Sequence, residues 1–352
     1  MNIIHFPDTA PPIFNLVVEL SCFVYFLFCL RNAWSRGRFS FLTLLAAAAF
    51  AFGFELDCTR TIHAYTYDNR FLVMVGGDPG VVPLWIVLTW SIIIYVVMGT
   101  TELLKAPLLA RPWIEGLFGV SLDYSLDPIL AKSRFVPDFT KPCNLPEFPS
   151  AGAEGMGTWT WCIPEKVVWL EKSFWGIKME LPIFYRDLFF GVPLSNFFSW
   201  FAAVAAFTIV YHCVKAKLKP EQMSLPAQVG VLALVVVLAK ILFSLAAVGF
   251  NLLAYYLLPE WTMVGAQLAI AVVVLLVVWR TLQGNHPIRI LYIWLPIVNT
   301  LIGLAAYFTL DGPPNLLLVV IVMGIVSLAL FAIPYWLRRP FNQRDEGSLA
   351  NA

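Results

Sequence analysis

Apolar runs of about 20 residues recur along this chain, and no other feature limits its fold so tightly. Runs near residues 13–30, 39–56, 81–104, 191–214, 226–257, 262–280, 289–309 and 315–336 are each long enough to cross roughly 30 Å of hydrocarbon as a helix. Within hydrocarbon every backbone N–H and C=O must find its partner inside the protein, and a helix satisfies them locally. Charged residues make up 13% of the chain and mean hydropathy is +0.77, against roughly 25% charged in an average soluble domain. The expected fold is therefore all-α, a polytopic transmembrane helix bundle of about eight or nine spans. Residues 1–337 read as a single integral membrane domain with one long polar loop, 132–186, and residues 338–352 as a polar, disordered tail. The start lacks a basic n-region and a small-residue cleavage site, so the first span reads as a retained helix.

Charge asymmetry orients these spans. Arg31/Arg36/Arg38 (read as a compact basic turn), Lys105/Arg111, Lys215/Lys217/Lys219, Arg280/Arg289 and Arg338/Arg339/Arg344 form basic clusters, while the loops around 57–80, 259–261 and 311–314 are poorer in Lys and Arg. The positive-inside rule assigns the clusters to the cytoplasm. They share one side only if the weakly apolar stretch 106–131 also crosses, which gives nine crossings. The N-terminus is then outside, the C-terminus cytoplasmic and the loop 132–186 outside, in a bacterial inner membrane. A charged, proline-interrupted helix that spans is expected to be shielded by its neighbours or to line a cavity. That expectation points to Asp123 and Asp127 as the first candidates for a site.

Several chemistries find no motif here. A net charge of +1 offers no argument for nucleic acid. The four histidines, His5, His63, His212 and His286, share no metal-ligand spacing. There is no P-loop, no G-x-G-x-x-G opening a helix and no G-x-S-x-G elbow, so neither a metal nor a cofactor is expected. The six cysteines form no C-x-x-C pair. Cys143 and Cys162 share the polar loop, as two free thiols or as a disulfide.

What remains is a supply of carboxylates and aromatics beside apolar spans. Glu55 and Asp57 end the second span; Asp123 and Asp127, at i and i+4, share one helical face. A carboxyl set against hydrocarbon favours its protonated form and can serve as a general acid. Trp85, Trp90, Tyr95, Trp159, Trp161, Trp175, Trp200 and Phe201 could surround an apolar molecule and stabilise a developing cation through their π-faces. Plainer readings stand beside these. Glu55 and Asp57 would mark the water interface, Trp85 and Trp175 an interfacial belt, and Tyr65 and Tyr67 would be ordinary loop aromatics. Residues 187–201 join the polar segment to an apolar run and carry Gly191, Pro193 and Asn196 among Phe197, Phe198, Trp200 and Phe201. They read either as a helix start with an aromatic belt or as the entry of a functional amide into apolar surroundings.

The order of these motifs resembles a known family. Glu55, Tyr65-Thr-Tyr67, Val82-Pro-Leu, Trp90, Asp123…Asp127-Pro128, Trp159-Thr-Trp161 and Phe190-Gly-Val-Pro-Leu-Ser-Asn-Phe-Phe-Ser-Trp-Phe201 look like the carotenoid biosynthesis membrane proteins of the CruF type, carotenoid 1,2-hydratases. The likeness covers roughly residues 50–210 and departs at Ser199, where the family usually has glycine. It implies acid-catalysed hydration of the terminal double bond of an acyclic carotenoid, with membrane lipid as the surroundings. Asp127 would be the acid and Asp123 or Glu55 would direct water. Tyr65 and Asn196 would orient polar groups, and Trp90, Trp159, Trp161 and Trp200 would form the pocket walls. A second reading, from the apolar spans and polar inclusions alone, is a non-catalytic membrane protein that binds or moves an isoprenoid lipid.

Overall fold

Nine long helices make up the bundle in a computed structural model that describes residues 4–6, 11–61, 65–67, 70–77, 80–132, 158–161, 166–174, 177–184, 186–284, 287, 289–309 and 314–337. They are α1 (Ile13–Ser35), α2 (Arg38–Leu56), α3 (Leu84–Leu103), α4 (Arg111–Lys132), α5 (Leu194–Leu218), α6 (Leu225–Tyr256), α7 (Glu260–Val278), α8 (Ile290–Thr309) and α9 (Pro314–Trp336). Eight are long and apolar enough to cross a membrane, and the protein is an integral membrane protein with an all-α polytopic bundle.

The ninth, α4, carries Arg111, Glu115, Asp123, Asp127 and Lys132 and sits at the centre. It packs against α3, α5, α7, α8 and α9, and every side chain from Ile114 to Ser125 is buried. Neighbouring helices take the place of lipid around it, so its polar groups find partners inside the protein. Its contact with α5 is close because two glycines face that helix. A Cβ at Gly116 would come within 2.9 Å of the Phe201 ring, and one at Gly119 within 2.9 Å of Val204.

Several helix limits differ from the sequence reading. Helix α1 runs on to Ser35, so Arg31 lies within it and the basic turn consists of Arg36, Gly37 and Arg38. Gly37 takes φ 109° there, a conformation open to glycine. Helix α3 begins at Leu84 because residues 80–83 form a strand, and α5 begins at Leu194. Before α5, Phe190 and Gly191 both have positive φ and turn the chain between Leu188–Phe189 and Val192–Pro193, a tight hairpin.

The segments read as plain polar loops contain strands. These are β1 (Ile4–His5), β2 (Tyr65–Tyr67), β3 (Met74–Gly77), β4 (Gly80–Pro83), β5 (Trp159–Trp161), β6 (Val168–Phe174), β7 (Ile177–Ile183), β8 (Leu188–Phe189) and β9 (Val192–Pro193). All pairings are antiparallel: β1 with β3, β3 with β4, β6 with β7, and β8 with β9. The pairing that matters for the site is β2 with β5, in the register Tyr65↔Trp161 and Tyr67↔Trp159. Helix α1 anchors the segment ahead of β3, since buried Glu19 accepts the Leu72 and Val73 N–H groups at 2.5 and 3.4 Å. Cys143 and Cys162, Trp175, His63, His286 and the tail 338–352 lie outside the described residues.

Candidate functional site

Four helix ends and two short strands meet at one end of the bundle. The last turn of α2 brings Glu55, the first half of α3 brings Ile86, Thr89 and Trp90, α4 brings Asp127 near its C-terminus, and α5 brings Asn196 and Trp200 from its first two turns. With Tyr65, Tyr67, Trp159 and Trp161 from the paired strands they enclose a cavity of about 50 Å³. Helix α2 passes into a five-residue π-helical turn, Asp57–Thr61, an irregularity that occurs often at functional sites. The Thr59 hydroxyl donates to the Glu55 carbonyl at 3.0 Å within it.

Glu55 does not mark a water interface. It is 3% exposed and accepts three neutral donors: Tyr65 Oη at 2.6 Å and Tyr67 Oη at 2.8 Å on Oε2, and Trp90 Nε1 at 2.8 Å on Oε1. Alternation in a strand explains why Tyr65 and Tyr67 point the same way, so neither is an ordinary loop aromatic. Burial pushes both phenols well above the usual tyrosine range, which keeps them protonated and donating. Their partners across the strand pair continue the pattern. Tyr65 meets Trp161 edge-on at 4.9 Å between ring centroids, and Tyr67 meets Trp159 at 6.2 Å.

Asp127 accepts Trp159 Nε1 at 2.6 Å on Oδ1 and Asn196 Nδ2 at 2.5 Å on Oδ2. The same Asn196 nitrogen donates to Asp123 Oδ2 at 2.8 Å. One amide thus links the two carboxyls that share a face of α4, both nearly fully buried. Asp123 stands behind Asn196 and does not line the cavity, whereas Asp127 does. The Trp161 indole lies beside Asp127 as well, with its Nε1 short of hydrogen-bonding geometry. Trp90 and Trp200 stack at 4.0 Å with 30° between their planes, and Phe54 closes on Trp90 edge-on at 4.7 Å. Every residue given a role by the resemblance is therefore brought to one place.

Other candidates fall elsewhere. Trp85 is buried against Phe71, not set in a belt. Tyr95 lies towards the other end of α3, where its hydroxyl donates to Asn32 Oδ1 at 2.6 Å. Phe201 packs on Trp113. Asp57 is half exposed and ion-paired with Lys240 of α6, which also donates to the Gly53 carbonyl at 2.9 Å. Sequence reasoning missed the cavity contribution of Tyr67, Ile86 and Thr89; for Tyr67 the Tyr-x-Tyr alternation was the signal. It also missed a further buried carboxyl, away from the cavity. Glu115 accepts Thr101 Oγ1 at 2.5 Å and lies 2.9 Å from His212 Nε2, joining α3, α4 and α5. Among the described residues no three His, Cys, Asp or Glu side chains are grouped to hold a metal ion. Comparison with family models, curated proteins and solved structures finds no match to this chain.

Proposed function

We propose that this protein is a membrane enzyme of carotenoid biosynthesis, a hydratase that adds water across the terminal C1=C2 bond of an acyclic carotenoid end to give a tertiary alcohol. The observation that carries the reading is that Asp127 and Glu55 line the same cavity as the stacked Trp90–Trp200 wall. All their hydrogen-bonding partners in that cavity are neutral.

In this mechanism Asp127 carries the proton and delivers it to C2, and the π electrons form the new C–H bond. The cation left at C1 is tertiary, and the faces of Trp90, Trp200 and Trp159 stabilise it. Water adds at C1 and loses a proton to Glu55, which Tyr65, Tyr67 and Trp90 hold in place. Return of that proton to Asp127 through solvent closes the cycle, so the net change is one water added. Nothing is oxidised or reduced, and the step calls for no redox cofactor. Asn196 fixes Asp127 against Asp123, and Asp123 acts as a positioning residue through that amide. By the positive-inside rule the basic ends of α1, α3 and α5 face the cytoplasm, which leaves the site near the outer face of a bacterial inner membrane.

The carrier reading is less well supported, because three buried carboxyls in one patch are costly in a protein that only has to hold an apolar molecule. The test is pigment analysis of lycopene-accumulating cells that express the chain. A product heavier by one water, lost in Asp127→Asn while the protein remains folded in the membrane, supports the hydratase. Full activity in Asp127→Asn removes Asp127 as the acid. Unchanged pigment with the wild-type chain in the membrane rejects hydration of this substrate.

A further inference from the structure

The other end of the bundle, where the basic residues gather, holds a second cavity of about 310 Å³. It lies among the α1–α2 turn, the ends of α3 and α5, the short turn Pro220–Gln222 and the start of α6. Arg36, Arg38 and Lys215 bring three positive charges to its lining, and Glu102 and Glu221 two negative ones. Buried Phe39, Tyr95 and Tyr211 line it as well. The Arg36 guanidinium stands 5.9 Å from the Tyr95 ring centroid and the Lys215 ammonium 5.7 Å from that of Tyr211. The cavity is thus charged and aromatic at once.

Its two carboxylates do not balance its three cations. Glu102 is ion-paired with Arg36 and, at 3.5 Å, with Lys215, which also lies 3.4 Å from Glu221. Among the described residues Arg38 meets neutral acceptors: its Nε donates to Gln228 Oε1 at 3.0 Å and its Nη2 to the Met223 carbonyl at 3.1 Å. Buried Gln228 is fixed in turn by donating to the Pro220 carbonyl at 3.0 Å, which holds the guanidinium in place. No side chain caps the start of α2, and the first N–H groups of a helix have no partner within it. Arg38, Phe39 and Ser40 carry those groups, and all three residues line the cavity. Surplus cation and uncapped helix start together favour an anion. The surroundings say which kind. Trp34, mostly exposed, meets Phe41 edge-on at 5.2 Å just beyond the turn, and tryptophans at the ends of spanning helices sit at headgroup depth. Basic pockets between spanning helices at that depth suit phospholipid headgroups.

We infer that this cavity binds the phosphate headgroup of an anionic membrane phospholipid, held by Arg36, Arg38 and Lys215 and by the first N–H groups of α2. The phosphate competes with Glu102 for Arg36 and Lys215. Since its partners come from the α1–α2 turn and from α5, the lipid ties these elements together at the end of the bundle remote from the carboxyl site. The cavity shares no lining residue with that site, and the inference stands apart from the hydratase reading.

Native mass spectrometry of the full chain in mild detergent tests this, with phosphatidylglycerol, phosphatidylcholine or inorganic phosphate titrated at fixed ionic strength. One phosphatidylglycerol should be retained under conditions that strip phosphatidylcholine. Arg38→Gln should weaken its binding on the order of tenfold, the scale of one hydrogen bond to a charged group. Arg280→Gln, which removes an exposed charge outside the cavity, should leave binding unchanged. Glu102→Gln frees Arg36 and Lys215 and should tighten binding on the order of tenfold, a direction that damage to the fold does not produce. Equal retention of the two lipids, equal losses in Arg38→Gln and Arg280→Gln, or weaker binding in Glu102→Gln overturns the inference. Displacement of phosphatidylglycerol by an equal concentration of inorganic phosphate makes the ligand a free phosphate and overturns the lipid assignment.

Discussion

Asn196 shows how much rests on a single side chain in this site. Its Nδ2 carries two protons and gives one to each of two carboxyls on the next helix, an arrangement no apolar residue can replace. Asn196→Leu should leave both acids without that donor and destabilise the fold by about 1–3 kcal/mol, measured by thermal unfolding in detergent. Glu55→Gln keeps the shape but alters acceptance from the two tyrosines and removes the proposed base. Hydration should fall on the order of 10²-fold or more with little change in unfolding temperature. The tyrosines give a third prediction. Their phenols are raised by burial, so they ionise more readily unfolded than folded. The stability they contribute is fully present below the ordinary tyrosine range near pH ~10 and is lost as pH climbs through their higher folded values. Tyr65→Phe/Tyr67→Phe should accordingly weaken the dependence of unfolding on pH at the alkaline end. At this scale much was legible: the i, i+4 spacing of Asp123 and Asp127 and the polar amide at Asn196 were plain in the sequence. Hidden were contacts across long separations, such as Glu115 with His212, 97 positions apart, because no local pattern records them.

At the scale of elements, the close packing of α4 on α5 fixes where those side chains meet. Gly116→Ala and Gly119→Ala would press a methyl into Phe201 and Val204 and should cost about 1–3 kcal/mol each. Gly230→Ala, which meets nothing within 4 Å, should be neutral or stabilising by up to about 1 kcal/mol through helix propensity. Thermal unfolding of the three variants side by side checks this. The long apolar helices could be read from run length alone, because hydrocarbon thickness sets it. Helix α4 could not, since its hydropathy is depressed by the very carboxyls that its neighbours bury; charge parity among the loops asked for a crossing at 106–131, and a 22-residue helix packed among α3, α5, α7, α8 and α9 stands there. Strands β2 and β5 announced themselves only as Tyr-x-Tyr and Trp-x-Trp. Their pairing, across more than 90 residues of chain, is a tertiary fact that spacing does not encode.

For the whole molecule, the proposed orientation makes the site and the basic cavity answerable to the membrane. Protease added to intact spheroplasts should remove an epitope fused at the N-terminus and spare one at the C-terminus; the reverse pattern would turn the protein over and put the site at the cytoplasmic face. The indoles of Trp90 and Trp200, stacked at 4.0 Å, come from different helices, so their closeness depends on the assembled bundle. Two chromophores this near share their excited states, and their coupled signal in circular dichroism is absent when either ring moves away. The site thus carries its own optical label, one that disappears in Trp200→Phe and that reports whether the walls are together before any substrate has been found.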